Sequence, residues 1–216
     1  MVYRRRRNYS RRRYPRKGNG STDYIKMAKM AYSGVKYLKS LVNVEKHALN
    51  VTASLTPDGA TGTMTLLSGI AQGDNDNQRQ GNSVKLHQIN VNLDFLTDPD
   101  AIGTTLRVIL FRYNQSQSTS PTAVTVLTSN NFLANYNHDN VRLFSVLYDR
   151  THTVSPDHPE RFIRIFRKLG SHETFDGTSA AATDIQTGSI WLLMISDEAT
   201  ETPTVYVNSQ LLFIDN

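Results

Sequence analysis

Residues 86–96, Leu-His-Gln-Ile-Asn-Val-Asn-Leu-Asp-Phe-Leu, alternate without interruption. His87, Ile89, Val91, Leu93 and Phe95 fall on one side, and Gln88, Asn90, Asn92 and Asp94 on the other. Only an extended chain separates successive side chains this way, so the stretch predicts a half-buried β-strand. The runs 105–113 (TLRVILFRY) and 188–196 (GSIWLLMIS) are apolar throughout and read as central strands. HALNVTASL, RLFSVLYDRTHTV, PERFIRIFRKL and TVYVNSQLLFID extend the set to about seven or eight. The connections are long and rich in Asn, Asp, Ser, Thr, Gly and Pro, and only 121–138 suggests a short helical excursion. Many strands joined by polar loops predict an all-β sandwich, for which an eight-stranded jelly roll of two four-stranded antiparallel sheets is the natural form.

The first 43 residues obey different rules. Nine of residues 1–17 are Arg or Lys and none is acidic. Like charge at that density repels itself, so 1–21 reads as a disordered basic arm with a Gly-rich hinge at 18–21. Residues 22–43 then place Tyr24, Ala28, Ala31, Val35, Leu38 and Val42 at steps of three and four. Lys26, Lys29, Lys36 and Lys39 fall on the opposite arc. That spacing predicts an amphipathic helix with Ser21, Thr22 or Asp23 as N-cap. The remainder, 44–216, forms the β body. Residues 1–46 carry a net charge of +12 and residues 47–216 a net −7. The basicity therefore belongs to one segment and not to the fold.

Several function classes are disfavoured. Without cysteine there is no disulfide or thiolate metal site, and a reducing compartment is permitted. The longest apolar run, 190–195, is far short of the ~20 residues a membrane-spanning helix needs, so no membrane partner is expected. The six histidines (47, 87, 138, 152, 158 and 172) are scattered. His-Glu-Thr-Phe-Asp at 172–176 begins like a zinc-protease helix but ends in Asp176 where a second His is needed. No nucleophile elbow or phosphate-cradling Gly loop occurs. An enzyme is not expected, and no cofactor is required.

The arm carries the strongest functional signal. Arginine presents planar, permanently charged donors that suit phosphate oxygens. Tyr3, Tyr9 and Tyr14 are interleaved and can stack on unpaired nucleobases. Arg4, Arg5, Arg6, Arg7, Arg11, Arg12, Arg13, Arg16 and Lys17 are the expected charge-neutralising residues, with Lys26, Lys29, Lys36 and Lys39 as secondary contacts. The same run fits a nuclear localisation signal. A cellular nucleic-acid chaperone with a basic extension would share these features, and size in solution separates it from a shell-forming protein.

Two stretches are more specific. Residues 66–91 contain the skeleton GI-QGD--NQR-G--V, and 105–137 contain a strand ending Phe-Arg, then TPT-V-VL-like and NF---YN segments. In that order they resemble the coat proteins of satellite tobacco necrosis viruses. The Arg-dense tail resembles instead the capsid N-termini of small circular single-stranded DNA viruses that encode a replication initiator. The resemblance implies a jelly roll with sheets BIDG and CHEF, sixty copies in a T=1 shell, and an inward arm. At +12 per copy the interior would hold about +720, matched to an enclosed polyanion. The arm favours a single-stranded DNA genome, a virion location and a nuclear stage of assembly, with an RNA satellite coat as the alternative. No host receptor is legible. The satellite coats also bind calcium between subunits, which implies a site at Glu45, Gln80, Ser83 and Asp215; oxygen donors from separate segments suit such a hard cation.

Overall fold

The computed structural model describes residues 20–41, 45–115 and 120–215, with side chains of the first segment given for 24–35. The chain divides into two units, Met1–Val44 and Glu45–Asn216. The first contains helix α1, Gly20–Leu41. It starts and ends two residues before the predicted 22–43, so Ser21, Thr22 and Asp23 lie inside the helix and not at its N-cap. All its described side chains are exposed, including Tyr24, Met27, Met30 and Tyr32. No helix among the described residues is long and apolar enough to cross a membrane.

The second unit is an antiparallel two-sheet sandwich. Its strands are β1 (His47–Leu55), β2 (Thr63–Leu66), β3 (Ser83–Leu96), β4 (Thr104–Tyr113), β5 (Phe144–Val154), β6 (Glu160–Lys168), β7 (His172–Phe175), β8 (Ile185–Thr187), β9 (Ser189–Ser196) and β10 (Thr204–Asp215). One sheet runs β1-β10-β3-β7-β8 with β6 also paired to β3, and the other runs β2-β9-β4-β5. The count is therefore six and four, not the four and four predicted.

The register explains the excess. β6 pairs with β3 over 88–96, and β7 pairs with the same edge of β3 over 83–85. They are two halves of one strand, broken at Leu169–Ser171, where Gly170 has φ +71°. Leu169 and Gly170 still donate to the His87 and Leu86 carbonyls at 3.0 and 2.9 Å, so the left-handed conformation, which glycine readily adopts, makes an irregularity in the ladder and not an exit from it. β8 adds three residues outside β7. Without the break and the addition, the sheets are β1-β10-β3-β6 and β2-β9-β4-β5, the BIDG and CHEF arrangement that the resemblance implies.

β3 departs from prediction at its start. Ile89, Val91, Leu93 and Phe95 face the core as expected, but Leu86 is buried and His87 is not. Leu212 pairs with Gln88 and Phe213 with Leu86, so His87 is the extra residue of a β-bulge and the inward phase slips by one.

The core lies between the sheets. Ile89, Val91 and Leu93 of β3 meet Leu106, Val108 and Leu110 of β4 and Ile190, Leu192 and Met194 of β9. A second cluster covers the far face of the four-stranded sheet. There Ile109, Phe111, Trp191, Leu193 and Ile195 pack under Val126, Leu127 and Phe144. The covering segment includes a four-residue helix, α2 (Ala123–Val126). With both faces covered, all eight residues of β9 are buried, which is why its sequence does not alternate. Arg107 fastens the cover. Its Nε and Nη2 donate to the two oxygens of Asp149 at 2.9 and 2.6 Å, and its Nη1 to the carbonyls of Phe132 and Ala134 at 3.1 and 2.6 Å. Tyr136 donates its hydroxyl to the same carboxylate.

Candidate nucleic-acid and cation sites

Most of the expected nucleic-acid residues, Arg4–Arg7, Arg11–Arg13, Arg16 and Lys17, lie outside the described residues. Lys26 and Lys29 project from α1 and are exposed; Lys36 and Lys39 belong to the same helix, but their side chains lie outside those described.

Three of the expected cation residues, Gln80, Ser83 and Asp215, meet at one corner of the body. The Gln80 amide donates to Asp215 Oδ2 at 2.5 Å, across 135 positions of sequence. Asp215 lies opposite Val84 in the ladder, beside Ser83, the first residue of β3. His47, two residues after Glu45, lies opposite Phe213, two residues before Asp215. His47 Nδ1 lies 3.2 Å from the Asp76 carbonyl, which draws the acidic loop to the same corner. All donors are oxygens, the chemistry a hard divalent cation takes. Among the described residues, however, no three His, Asp or Glu groups stand together to hold a metal ion.

The loop before that corner is built on Arg79, which sequence reasoning passed over. Its side chain is wholly buried. Nε donates to the Ile70 carbonyl at 3.2 Å, Nη1 to Gly81 at 2.6 Å, and Nη2 to Gly177, while the guanidinium sits 4.0 Å over the Phe175 ring. Burial pulls its pKa down, opposed by Asp215, Asp184 and Glu173. The QR-G spacing flagged this loop, but no local pattern tells a buried arginine from a solvated one.

Glu173, the acid of the failed zinc motif, was likewise missed. It is fully buried on β7, opposite Val84, in the inward phase it shares with Phe175. Ser68 Oγ donates to Oε1 at 2.7 Å and itself accepts from the Ile190 amide at 2.8 Å. Burial raises the carboxyl well above its usual range, outweighing Ser68, Arg112 and Arg79. Strand phase was the available signal: inward-facing positions in β7 alternate, and Glu173 occupies one.

His152 is buried as well. Its ring stacks on Phe95 and Tyr148, with Nε2 2.9 Å from the Tyr148 hydroxyl. Burial, with Arg161 and Arg150 adding to it, lowers its pKa to about 4. Glu173 and His152 are thus each buried against a hydroxyl partner within the body.

A two-sheet jelly roll carrying a separate cationic extension is the architecture of small viral coat proteins. The family model of the satellite tobacco necrosis virus coat protein matches residues 26–216, and the chain belongs to that family. The capsid protein of Satellite tobacco necrosis virus 1 is 31% identical over 170 residues, which span 76% of this chain and 85% of that protein. Among solved structures, Broad bean stain virus aligns with 78% of this chain and 86% of its own at 13% identity and a TM-score of 0.36. The Cowpea mosaic virus empty particle aligns with 75% and 78% at 16% identity and the same score. Neither of these two structural likenesses is strong enough to bear weight.

Membership makes the chain a structural capsid protein that assembles with its own copies and resides in the virion, not an enzyme. It also corrects the expectation of a single-stranded DNA virus: the family is that of the RNA satellite coats. The misleading feature was the arm. Arginine pairs with phosphate, which RNA and DNA share, whereas the 2′-hydroxyl that distinguishes them is not read by charge.

Proposed function

We propose that the chain packages single-stranded RNA inside a T=1 shell of sixty copies, with residues 1–21 and the lysine side of α1 turned toward the genome. The observation that carries this is the charge split, +12 on residues 1–46 against −7 on 47–216, in a chain of the satellite coat family. An acidic wall repels RNA unless a cationic segment bridges them, and the Arg cluster does so with little dependence on sequence. The exposed apolar side of α1, from Tyr24 to Val35, suits self-association, and three such helices meeting at a three-fold axis would cover it. Deleting residues 1–17 tests the arm. Shells should still form, with the absorbance ratio at 260 and 280 nm falling to that of protein alone. Truncated shells with a full RNA complement would overturn the assignment.

Calcium at subunit contacts belongs to the same proposal. Glu45 and Asp215 would supply carboxylate oxygens, with Gln80 and Ser83 adding neutral ones. Particle melting should drop on chelation and recover on adding calcium; an unchanged midpoint would remove calcium from the account.

A further inference from the structure

The face of the six-stranded sheet turned away from the core is unlike the rest of an acidic body. Along β6 the outward side chains are Glu160, Phe162, Arg164, Phe166 and Lys168, all exposed, the two rings at 65% and 44%. The ladder carries these rows across β3 and β10. Phe162 lies opposite Asp94 and Asp94 opposite Tyr206; Arg164 lies opposite Asn92 and Asn92 opposite Asn208. Tyr206 is 49% exposed. Phe162, Tyr206, Asp94, Asn92 and Asn208 line an open cleft of about 250 Å³. Asp94 Oδ1, in that cleft, and Asn90 Oδ1, one row along, are buried yet form no hydrogen bond within the described residues.

These features fit one ligand chemistry. Strands two apart are separated by about 9.5 Å, so Phe162 and Tyr206 bracket a slot that admits a flat ring. Phe162 and Phe166 stand about 13 Å apart along the strand with Arg164 between them. Rings alternating with cations let nucleobases stack while the guanidinium takes the phosphate. The carboxylate of Asp94 repels phosphate and accepts from base N–H groups, which places the base, not the backbone, in the slot. On β6, Arg164 and Lys168 supply this face with cations that a polyanion can reach. A contact between copies would want an apolar centre depleted of charge, and here the centre is amides, Asp94 and Arg164.

We propose that this sheet face, centred on Phe162, Arg164, Phe166 and Tyr206, is a second RNA-binding surface that stacks unpaired nucleobases of the packaged strand. It deepens the RNA-packaging reading and rests on it. Ultraviolet cross-linking of intact particles, followed by mass spectrometry of nucleotide-bearing peptides, tests it. Nucleotide should appear on peptides carrying Phe162, Phe166 and Tyr206 as well as on arm peptides. In the full-length Phe162→Leu/Phe166→Leu variant, whose changes are at exposed positions, the Tyr206 cross-link should fall. Its dissociated subunits, at salt high enough to screen the arm, should bind single-stranded oligouridylate about tenfold more weakly or worse, with duplex RNA unaffected. Cross-links confined to the arm in RNA-filled particles would overturn the sheet face and leave packaging standing. Particles devoid of RNA would overturn packaging itself. A variant that no longer assembles yet binds the oligonucleotide normally would make this face a contact between copies.

Discussion

His152→Phe should flatten the acid limb of the stability curve. The folded protein holds the imidazole neutral to about pH 4, whereas the unfolded chain takes up its proton near 6.5. Stability from this group is therefore complete above about pH 6.5 and drains away as pH falls toward 4. At about 1.4 kcal/mol per unit, a difference of roughly 2.5 units is worth about 3 kcal/mol. For a body of this size that is about 6–12 °C in melting temperature. Phenylalanine preserves the stack against Phe95 and Tyr148 but cannot titrate, and the lost bond to the half-buried Tyr148 hydroxyl costs about 1 kcal/mol at neutral pH. The variant should thus be slightly less stable than the parent at pH 7 and more stable at pH 4. Urea unfolding of dissociated subunits reports this through Trp191, the sole tryptophan and a buried one. Parallel pH profiles for parent and variant would refute the assignment of that proton to His152.

Arg79→Met should destabilise the body by about 3 kcal/mol or more in the same assay, because the carbonyls of Ile70, Gly81 and Gly177 lose a buried donor together. Arg79→Lys should recover little, since one ammonium cannot reproduce the fork. Gly170→Ala should cost about 1 kcal/mol, the backbone strain alone, because nothing lies within 4 Å of the added carbon. Gly188→Ala should cost distinctly more, for there the carbon would lie 2.4 Å from the His172 carbonyl at φ +88°. Asp149→Asn should loosen the cover over the four-stranded sheet, seen as faster proteolysis within 128–140 and a loss of about 2 kcal/mol.

Legibility in the sequence followed the reach of each physical cause. β3, β4 and β9 could be read because alternation or continuous apolarity records which faces are covered. β2 could not, since its four residues are all half-buried and carry no contrast. The break between β6 and β7 turns on one glycine conformation, and the bulge at His87 on its partner strand, so neither left a periodic trace. At the cation corner, Gln80 and Asp215 meet across 135 positions, which no spacing rule within one chain anticipates. They were found only through resemblance. The arm's charge was plain from composition, but its dense arginine pointed to the wrong nucleic acid because a phosphate contact is blind to the sugar. On β6 the Phe–Arg–Phe–Lys order of the exposed half acquires meaning only beside Asp94 and Tyr206 on the neighbouring strands.

The pairing of the first and last strands has a practical corollary. Because His47 lies opposite Phe213, the place where the body receives its leading segment adjoins the place where its final strand departs. A foreign peptide spliced after Asp215 would begin beside the first residues of β1. A bulky fusion at that point would crowd both ends of the body's outer strand pair at once, whereas one placed in an inter-strand loop would leave that pair untouched.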